Sequence, residues 1–594
     1  MNLKSPVYTE LAECQDCYKC IRKCPVKSIQ VEKGRASVIA ERCICCGRCV
    51  VNCPSYAKKY RKDVDKVKLL LSGGKKVMVS LAPSFAAEFS GWKPGGLIAA
   101  LKQLGFSGVS ETALGADFVS ARIARDLAEP PAENGTPHFL ISSACPSIVE
   151  YIKLYAPDLA PYITPHASPL LTHARFLRSH CGGETAVVFI GPCIAKKREA
   201  DLYGTEIAAA ITFQELAEWL EKERIRPESV SVSADCVFYP RRSARGAFFP
   251  IEGGEITAFS AYMSRAVEAA AGIHPQIETI SVSGIQAVQD TLAGFNPASL
   301  TAPLFLELLA CSGGCINGPG MAGTASGIIR GMRLRDYARS ADRTLDAAAL
   351  EGSPLIDAEY PAKLLPRTIH TEGEIAEALR GVGKFSLEDR LNCASCGYDS
   401  CRDFALALLD GRAEKAMCAS YMRKLASKTA NAIIRSTPNG IVIVDKDRKI
   451  IECNEQFAKL LGSDAEELFA AKPGLEGADL EKLSPFSMYF QPVLDPGGPE
   501  HTQCDHTLCA RDNNKIYHLT LFAIEKGISA AAVVSDITEP RVRIDRTVER
   551  ARELIQKNVS TVQQIAFLLG ENAAESEAIL DSIIESYTLG EKDA

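Results

Sequence analysis

From residue 77 to about 365, short apolar runs alternate with amphipathic stretches. VMVSLA, AVVFIG and FLELLAC read as buried strands, and GGLIAALKQLG reads as a helix with one apolar face. Strands alternating with helices over this length predict an α/β domain. Residues 1 to 62 show no such periodicity; they are dense in cysteine and lead into the basic run KKYRKDVDKVK. A second cysteine group, residues 393 to 418, follows KLLPRTIHTEGEIAEALRGVGKF. Beyond it, GIVIVD and KIIECN have the period-two alternation of half-buried strands, separated by a turn at Lys446 and Asp447 and followed by a helix at EQFAKLLG. Past 540, Val542, Val548, Ala551, Ile555, Val562 and Ile565 fall near helical spacing. They predict a helix with an apolar stripe that docks on its own domain or pairs with a second copy. The expected segments are 1–62, 75–365, 376–425, 426–538 and a helical 539–594.

The length of 594 residues exceeds what one core supports, so several domains are expected. A net charge of -6 with interspersed signs offers no basic stripe, and nucleic acid is not an expected partner. The first residues carry no apolar leader, and nowhere do about eighteen apolar residues run uninterrupted, so a cytoplasmic chain without a membrane span is expected. The 22 cysteines fall in tight clusters within a long chain, a pattern that reads as metal ligation rather than disulfides.

Cys14, Cys17, Cys20 and Cys24 with Pro25 give C-x2-C-x2-C-x3-C-P, and Cys43, Cys46, Cys49 and Cys53 with Pro54 repeat it. In such a pair each loop gives three thiolates to one 4Fe-4S cubane and its fourth to the other. The expected sets are Cys14, Cys17, Cys20 and Cys53, and Cys43, Cys46, Cys49 and Cys24. Zinc is the competing metal, although its knuckles usually stand farther apart. Cys45 is expected to be no ligand.

Four further cysteines lie in loops rich in small residues at the ends of apolar runs: SSACPS, IGPCIAKK and ACSGGCING. Loops at strand ends are where α/β folds bind ligands. These loops resemble those of the iron-only (di-iron) hydrogenases, over about residues 1 to 365. The resemblance implies an H-cluster domain in which Cys145, Cys193, Cys311 and Cys315 hold a cubane. Cys315 would bridge it to a di-iron unit carrying CO, CN and a dithiolate. It further implies that Lys196 donates a charge-assisted hydrogen bond to a cyanide, and that Ala82, Pro83 and Ser84 of LAPS line the same pocket. The implied catalytic set is Cys315, Lys196, Ser84 and Pro83.

Cys393, Cys396, Cys401 and Cys418 resemble the small four-cysteine 4Fe-4S domain of electron-transfer and corrinoid proteins, with a turn at Gly397 and Tyr398 and a helix from about Arg402. Zinc is the alternative there too. Residues 426 to 538 resemble a PAS domain, an α+β sensor fold whose last strand is ISAAAVVSDIT, ending on Asp536 to Thr538. Cys504, His506, Cys509 and His518 read as packed or solvated strand residues, with a ligand site as the sharper alternative.

The chain departs from the catalytic pattern. Ala144 stands where catalytic members carry a thiol that passes protons to the bridge amine, and a methyl group cannot do that. Arg122 and Ile123 replace the glutamates that continue the path. Gly191 and Leu309 replace two methionines, which should leave more space on one side. His166, His173 and Glu199 are candidates for another proton route.

Together these features predict a slow, H2-sensing iron-only hydrogenase. It would carry four 4Fe-4S clusters and a di-iron unit, exchange electrons with a redox protein such as ferredoxin, and depend on maturation proteins. A separate downstream protein would take its signal from the PAS domain, and a homodimer would form through the C-terminal helix. The rival is a hydrogenase-like iron-sulfur electron-transfer or assembly protein that keeps the cluster cysteines without the di-iron centre.

Overall fold

The computed structural model describes residues 5–128, 139–269, 277–340, 356–366, 368–510 and 513–536. The expected helical segment 539–594 and the closing Ile537 and Thr538 lie outside the described residues, as do the side chains of His506 and Cys509. Residues through Arg423 form one compact unit and those from Lys424 a second.

In the first unit, β1 (Val7–Thr9) pairs antiparallel with β4 (Lys58–Tyr60), and between them β2 (Ile29–Glu32) and β3 (Arg35–Val38) form a hairpin. The two cysteine loops are threaded around these short ribbons. The larger α/β part has two parallel sheets. One has the order β6 (Gly108–Glu111), β5 (Val77–Leu81), β8 (Ala186–Gly191), β9 (Ala209–Thr212). The other has the order β10 (Glu278–Ser283), β11 (Leu304–Leu309), β7 (Phe139–Ile141). Every residue of β5, β6, β8, β9 and β11 is buried, so these strands are covered on both faces; β5, β8 and β11 accordingly read as largely apolar runs instead of alternating, whereas β6, GVSE, buries Ser110 and Glu111.

The first three segments expected from the sequence are not separately packed. Ile21 and Val31 of the cysteine-rich start, Ile148 and Leu308 of the α/β part, and Tyr398 and Phe404 of the second cysteine group share one core. The α/β part is buttressed against the start by a buried ion network. Lys197, fully buried, reaches Asp63 at 3.1 Å and Glu215 at 2.8 Å, while Arg61 joins Asp63 to Asp201 at 2.8 Å each. Breaking one partner of such a set would leave an uncompensated buried charge, which typically costs about 3–5 kcal/mol.

In the second unit an antiparallel sheet runs in the order β13 (Ile450–Cys453), β12 (Gly440–Asp445), β16 (Ser529–Asp536), β15 (Asn513–Glu525), β14 (His501–Ala510). Phe457, Phe486, Phe490 and Tyr517 fill its interior. Asn454 caps the helix Glu455–Leu461 by accepting from the Phe457 N–H at 2.9 Å. Its amide also donates to the carbonyls of Ile434, at 3.0 Å, and Asn439, at 2.8 Å. Ile434 lies near the end of the helix Ala419–Ser436, so that helix is tied directly to the sheet. No helix among the described residues is long and apolar enough to cross a membrane.

Candidate active site

The site is assembled at the carboxyl ends of strands from both parallel sheets. Ala82, Pro83 and Ser84 follow β5; Ala144 and Cys145 follow β7; Cys193 and Lys196 follow β8; Cys311 and Cys315 follow β11. Cys145 occupies the N-cap of the helix Pro146–Tyr155, with Pro146 at a first-turn position where its missing N–H costs nothing. Gly314 adopts φ +96°, and a Cβ there would lie 2.3 Å from the Pro250 carbonyl oxygen, so only glycine lets the chain turn from Cys311 to Cys315 at this depth.

The four cysteines surround a cavity of about 100 Å³ that Lys196, Ser84, Ala144 and Glu255 also line. These cysteines are half-buried residues that line this space. Burial pushes the Cys193 thiol up to about 11 and that of Cys145 upward. Cys311 and Cys315 are pushed up more strongly, first by burial and then by the charges of the other site cysteines. Thiols this close resist ionising together unless a cationic centre lies between them, and iron inverts that balance by binding thiolate outright.

The donor set therefore fits a cubane. Ser84 adds a second sign of fit: it is fully buried on the cavity wall, and its hydroxyl has no hydrogen-bond partner among the described residues. Lys196 donates to Glu199 at 2.5 Å and to Ser168 at 3.2 Å, which leaves one of its three N–H donors for the cavity.

The other cysteines assigned to clusters also gather. Cys20 is pushed up to about 11 by burial, with the charges of Cys17, Cys14 and Cys53 acting the same way. Cys49 is pushed well up by burial, then by Cys43, Cys46 and Cys24. The structure thus brings together the two crossed sets. Cys46 lies within charge range of Cys311 and lines the same cavity, so the Cys43 set abuts the central one. Cys45 is buried and its N–H donates to the Cys43 sulfur at 3.3 Å. In the second cysteine group Cys396 is pushed up by burial and by Cys418 and Cys393. Cys401 begins the helix Cys401–Leu409, one residue before the expected start, and donates its N–H to Asn392 at 2.8 Å. Among the described residues no three His, Cys, Asp or Glu side chains close on one point as the ligands of a single ion would, whereas cubane thiolates each bind a separate iron.

The proton candidates separate clearly. His173 is fully buried between Ser80 and Ser110, with 2.8 Å to each, and burial pushes it down to about 3, so it stays neutral. His166 is bonded through Nε2 to Asp126 at 2.5 Å, and Asp126 pairs with Arg122 at 2.9 Å; Ile123 is packed in the core. Glu199 is the counter-ion of Lys196 and, with Ser168, borders a second cavity of about 70 Å³.

Two acids not singled out in the sequence stand closer to Ala144. The Ser142 hydroxyl accepts from the Ala144 N–H at 3.1 Å and donates to Glu255 at 2.5 Å. Glu307, in the middle of β11, accepts from the Glu255 and Ile256 N–H groups at 3.4 Å each. Burial, reinforced by Glu307, pushes Glu255 up to about 8, and burial pushes Glu307 up to about 7. The charge of exposed Glu252 also acts on Glu307, so a file of acids runs from the cavity to the surface. The expected extra space at Gly191 is taken up by Phe189: a Cβ on Gly191 would lie 2.4 Å from that ring.

Residues 75–319 match the family model described as the iron only hydrogenase large subunit, C-terminal domain. Residues 389–420 match one described as an Fe-S cluster, and 431–492 a PAS domain. Iron hydrogenase 1 of Clostridium pasteurianum is 28% identical over 311 residues, which are 45% of this chain and 54% of that protein. The chain thus spans about half the length of that relative. Nuclear prelamin A recognition factor of Xenopus laevis is 23% identical over 409 residues, 57% of this chain and 88% of that protein. An apo [FeFe]-hydrogenase HydA1 variant from Chlamydomonas reinhardtii aligns with 51% of this chain and all of its own, at 19% identity and a TM-score of 0.43.

Proposed function

We propose, from residues 75–319 as an iron-only hydrogenase domain, that this chain splits H2 reversibly but slowly and reports the result through its PAS domain. The observation that carries the reading is one cavity on which four thiols, the Lys196 ammonium and the orphaned Ser84 hydroxyl converge, with Ala144 where a proton-passing thiol would stand. Cys145, Cys193, Cys311 and Cys315 would hold the cubane, with Cys315 as the link to the di-iron unit. That unit, when bound, supplies the metal chemistry that polarises and cleaves H2.

The chain's own residues bind, orient and move protons. Lys196 and Ser84 donate hydrogen bonds into the cavity, and Glu199 holds the ammonium in place. Pro83 and Phe189 supply part of the apolar lining of the cavity. The proton leaves by Glu255 and Glu307, with the Ser142 hydroxyl holding Glu255 in place. A carboxyl held near neutral pKa can both take and give a proton at pH 7. This path replaces the one that Ala144, Arg122 and Ile123 interrupt. Without a thiol at residue 144 the first transfer spans a longer gap, which makes turnover slow.

Electrons would pass through the two crossed cubanes to a redox protein such as ferredoxin. Maturation proteins would insert the di-iron unit. The helix Ala419–Ser436 follows Cys418 in the chain and its Ile434 carbonyl accepts from Asn454; redox change at the 393–418 cubane would act through this helix on the PAS domain, and a separate protein would read it. A homodimer through residues 539–594 belongs to the same proposal.

The second reading is a hydrogenase-like iron-sulfur protein that never takes up the di-iron unit. It draws support from the alignment over 409 residues with the Xenopus protein, named nuclear prelamin A recognition factor. Isotope exchange discriminates the two: the full chain matured with the di-iron unit, incubated with D2 in H2O, should form HD slowly. No HD above the unmatured control would favour the second reading.

A further inference from the structure

Gly397 lies between Cys396 and Tyr398 at φ +92°, and a Cβ there would lie 2.8 Å from the Ile21 side chain and 3.1 Å from the Arg22 nitrogen. Ile21 follows Cys20 and precedes Cys24 by three positions, so a thiol from each crossed set borders this contact. The contact is fixed from several sides. Arg22 donates to the Ser395 carbonyl at 3.3 Å, and the Val31 N–H to the Arg412 carbonyl at 3.0 Å. Glu414 accepts from the Lys33 N–H at 2.5 Å and the Gly34 N–H at 3.0 Å, holding the β2–β3 turn. Backbone partners of this kind set register in a way that exposed ion pairs do not.

Tyr398 is the unusual group in this seam. It is 2% exposed, packs on Phe404, and its hydroxyl has no hydrogen-bond partner among the described residues. Buried phenols normally find an acceptor. Burial pushes its hydroxyl upward, and after it the charges of Arg412, Cys396 and Cys24 act on it.

We propose that the 393–418 cubane is a branch joined to the dicluster region at the Cys24-bearing cubane, with the Tyr398 hydroxyl donating to a sulfur of the paired centres. Cys46 of that same set borders Cys311, so this cubane is a node with the hydrogen site on one side and the branch on the other. One electron leaves a reduced cubane and enters an oxidised one; no bond or proton moves. A charge on the branch therefore reports the redox state of the node to the helix that follows Cys418, without lying on the path to an external partner.

The inference rests on the sixteen cysteines holding cubanes and not on the di-iron unit. The test is electron paramagnetic resonance on the full chain reconstituted with iron and sulfide and reduced stepwise. The 393–418 signal should be split and fast-relaxing through its neighbour. Gly397→Val, which drives a side chain into Ile21, should lose that splitting. Tyr398→Phe should keep it and shift the midpoint potential of at least one of the two cubanes. An isolated signal in the unmodified chain at every potential would overturn the branch, and unshifted potentials in Tyr398→Phe would overturn the bridging role. Zinc in place of iron would instead overturn the reading of the clusters.

Discussion

Replacing Glu307 by glutamine probes the proton route at its inner step. Glu255 opens onto the cavity and Glu307 lies behind it, so a proton using this path crosses both. Glutamine keeps the size and can still accept from an N–H now 3.4 Å away, but it cannot take up and release a proton. A positioned acid-base group contributes about a hundredfold to ten-thousandfold, or about 3–5 kcal/mol of barrier. The lower end applies here because the thiol step is already missing, so a fall of about a hundredfold is expected. Residues acting as one unit are not additive, so Glu255→Gln, Glu307→Gln and the double variant should fall by the same factor. The pH dependence follows from the pair. Below about 7 both carboxyls hold protons and above about 8 neither does, so the rate should peak between and fall on each side. Removing the Glu307 charge lets Glu255 ionise more readily, which moves the alkaline limb down. The same raised values contribute stability that is full below the ordinary 4.5 and is lost as pH rises through about 7 and 8, so the variant should lose less stability on alkalinisation. The assay is HD formation from D2 at matched di-iron occupancy across this range. A Glu307→Gln protein with unchanged rate and unchanged profile would refute the route.

Ala144→Cys should raise turnover by up to about a hundredfold, because the new thiol would sit beside Ser142 and Glu255; H2 oxidation at matched occupancy measures it, and no gain would place the bottleneck farther out. Cys315→Ala should abolish retention of the di-iron unit, whereas Cys393→Ala should spare it; equal loss in both, with the fold intact, would contradict the separation of site and branch. Hydrogen exchange over residues 420–560 should differ between H2 and an oxidant, and identical exchange would remove the signalling role while leaving the hydrogen chemistry.

Much of this site is legible in residue order, because ligation demands particular side chains at particular spacings. The SSACPS, IGPCIAKK and ACSGGCING loops each follow an apolar run that is a buried strand, and all of them reach one cavity. Strands β5, β8 and β11 were readable because parallel strands covered on both faces favour long, mostly apolar runs. Packing between segments was less legible. Nothing in the spacing of Cys393 to Cys418 says that Gly397 seats on Ile21, since that contact depends on shape between residues far apart in the chain. The expected void at Gly191 failed for a like reason: a glycine removes its own side chain but not Phe189, two residues earlier on the same strand. The acid pair was half visible. A glutamate inside the apolar run FLELLAC is a charge where a buried strand should have none, and such a residue needs a partner or a proton. Its partner Glu255 sits at a helix start in GGEIT and carries no comparable signal, and only the fold brings the two together.

The central claim is that a di-iron unit is held on Cys315 in this cavity, and infrared spectroscopy of the full chain after maturation tests it most directly. Carbonyl and cyanide stretching bands should appear, shift between H2 and an oxidant, and vanish in Cys315→Ala while the cubane content stays constant. A matured protein with its cubanes loaded and no such bands would contradict the account.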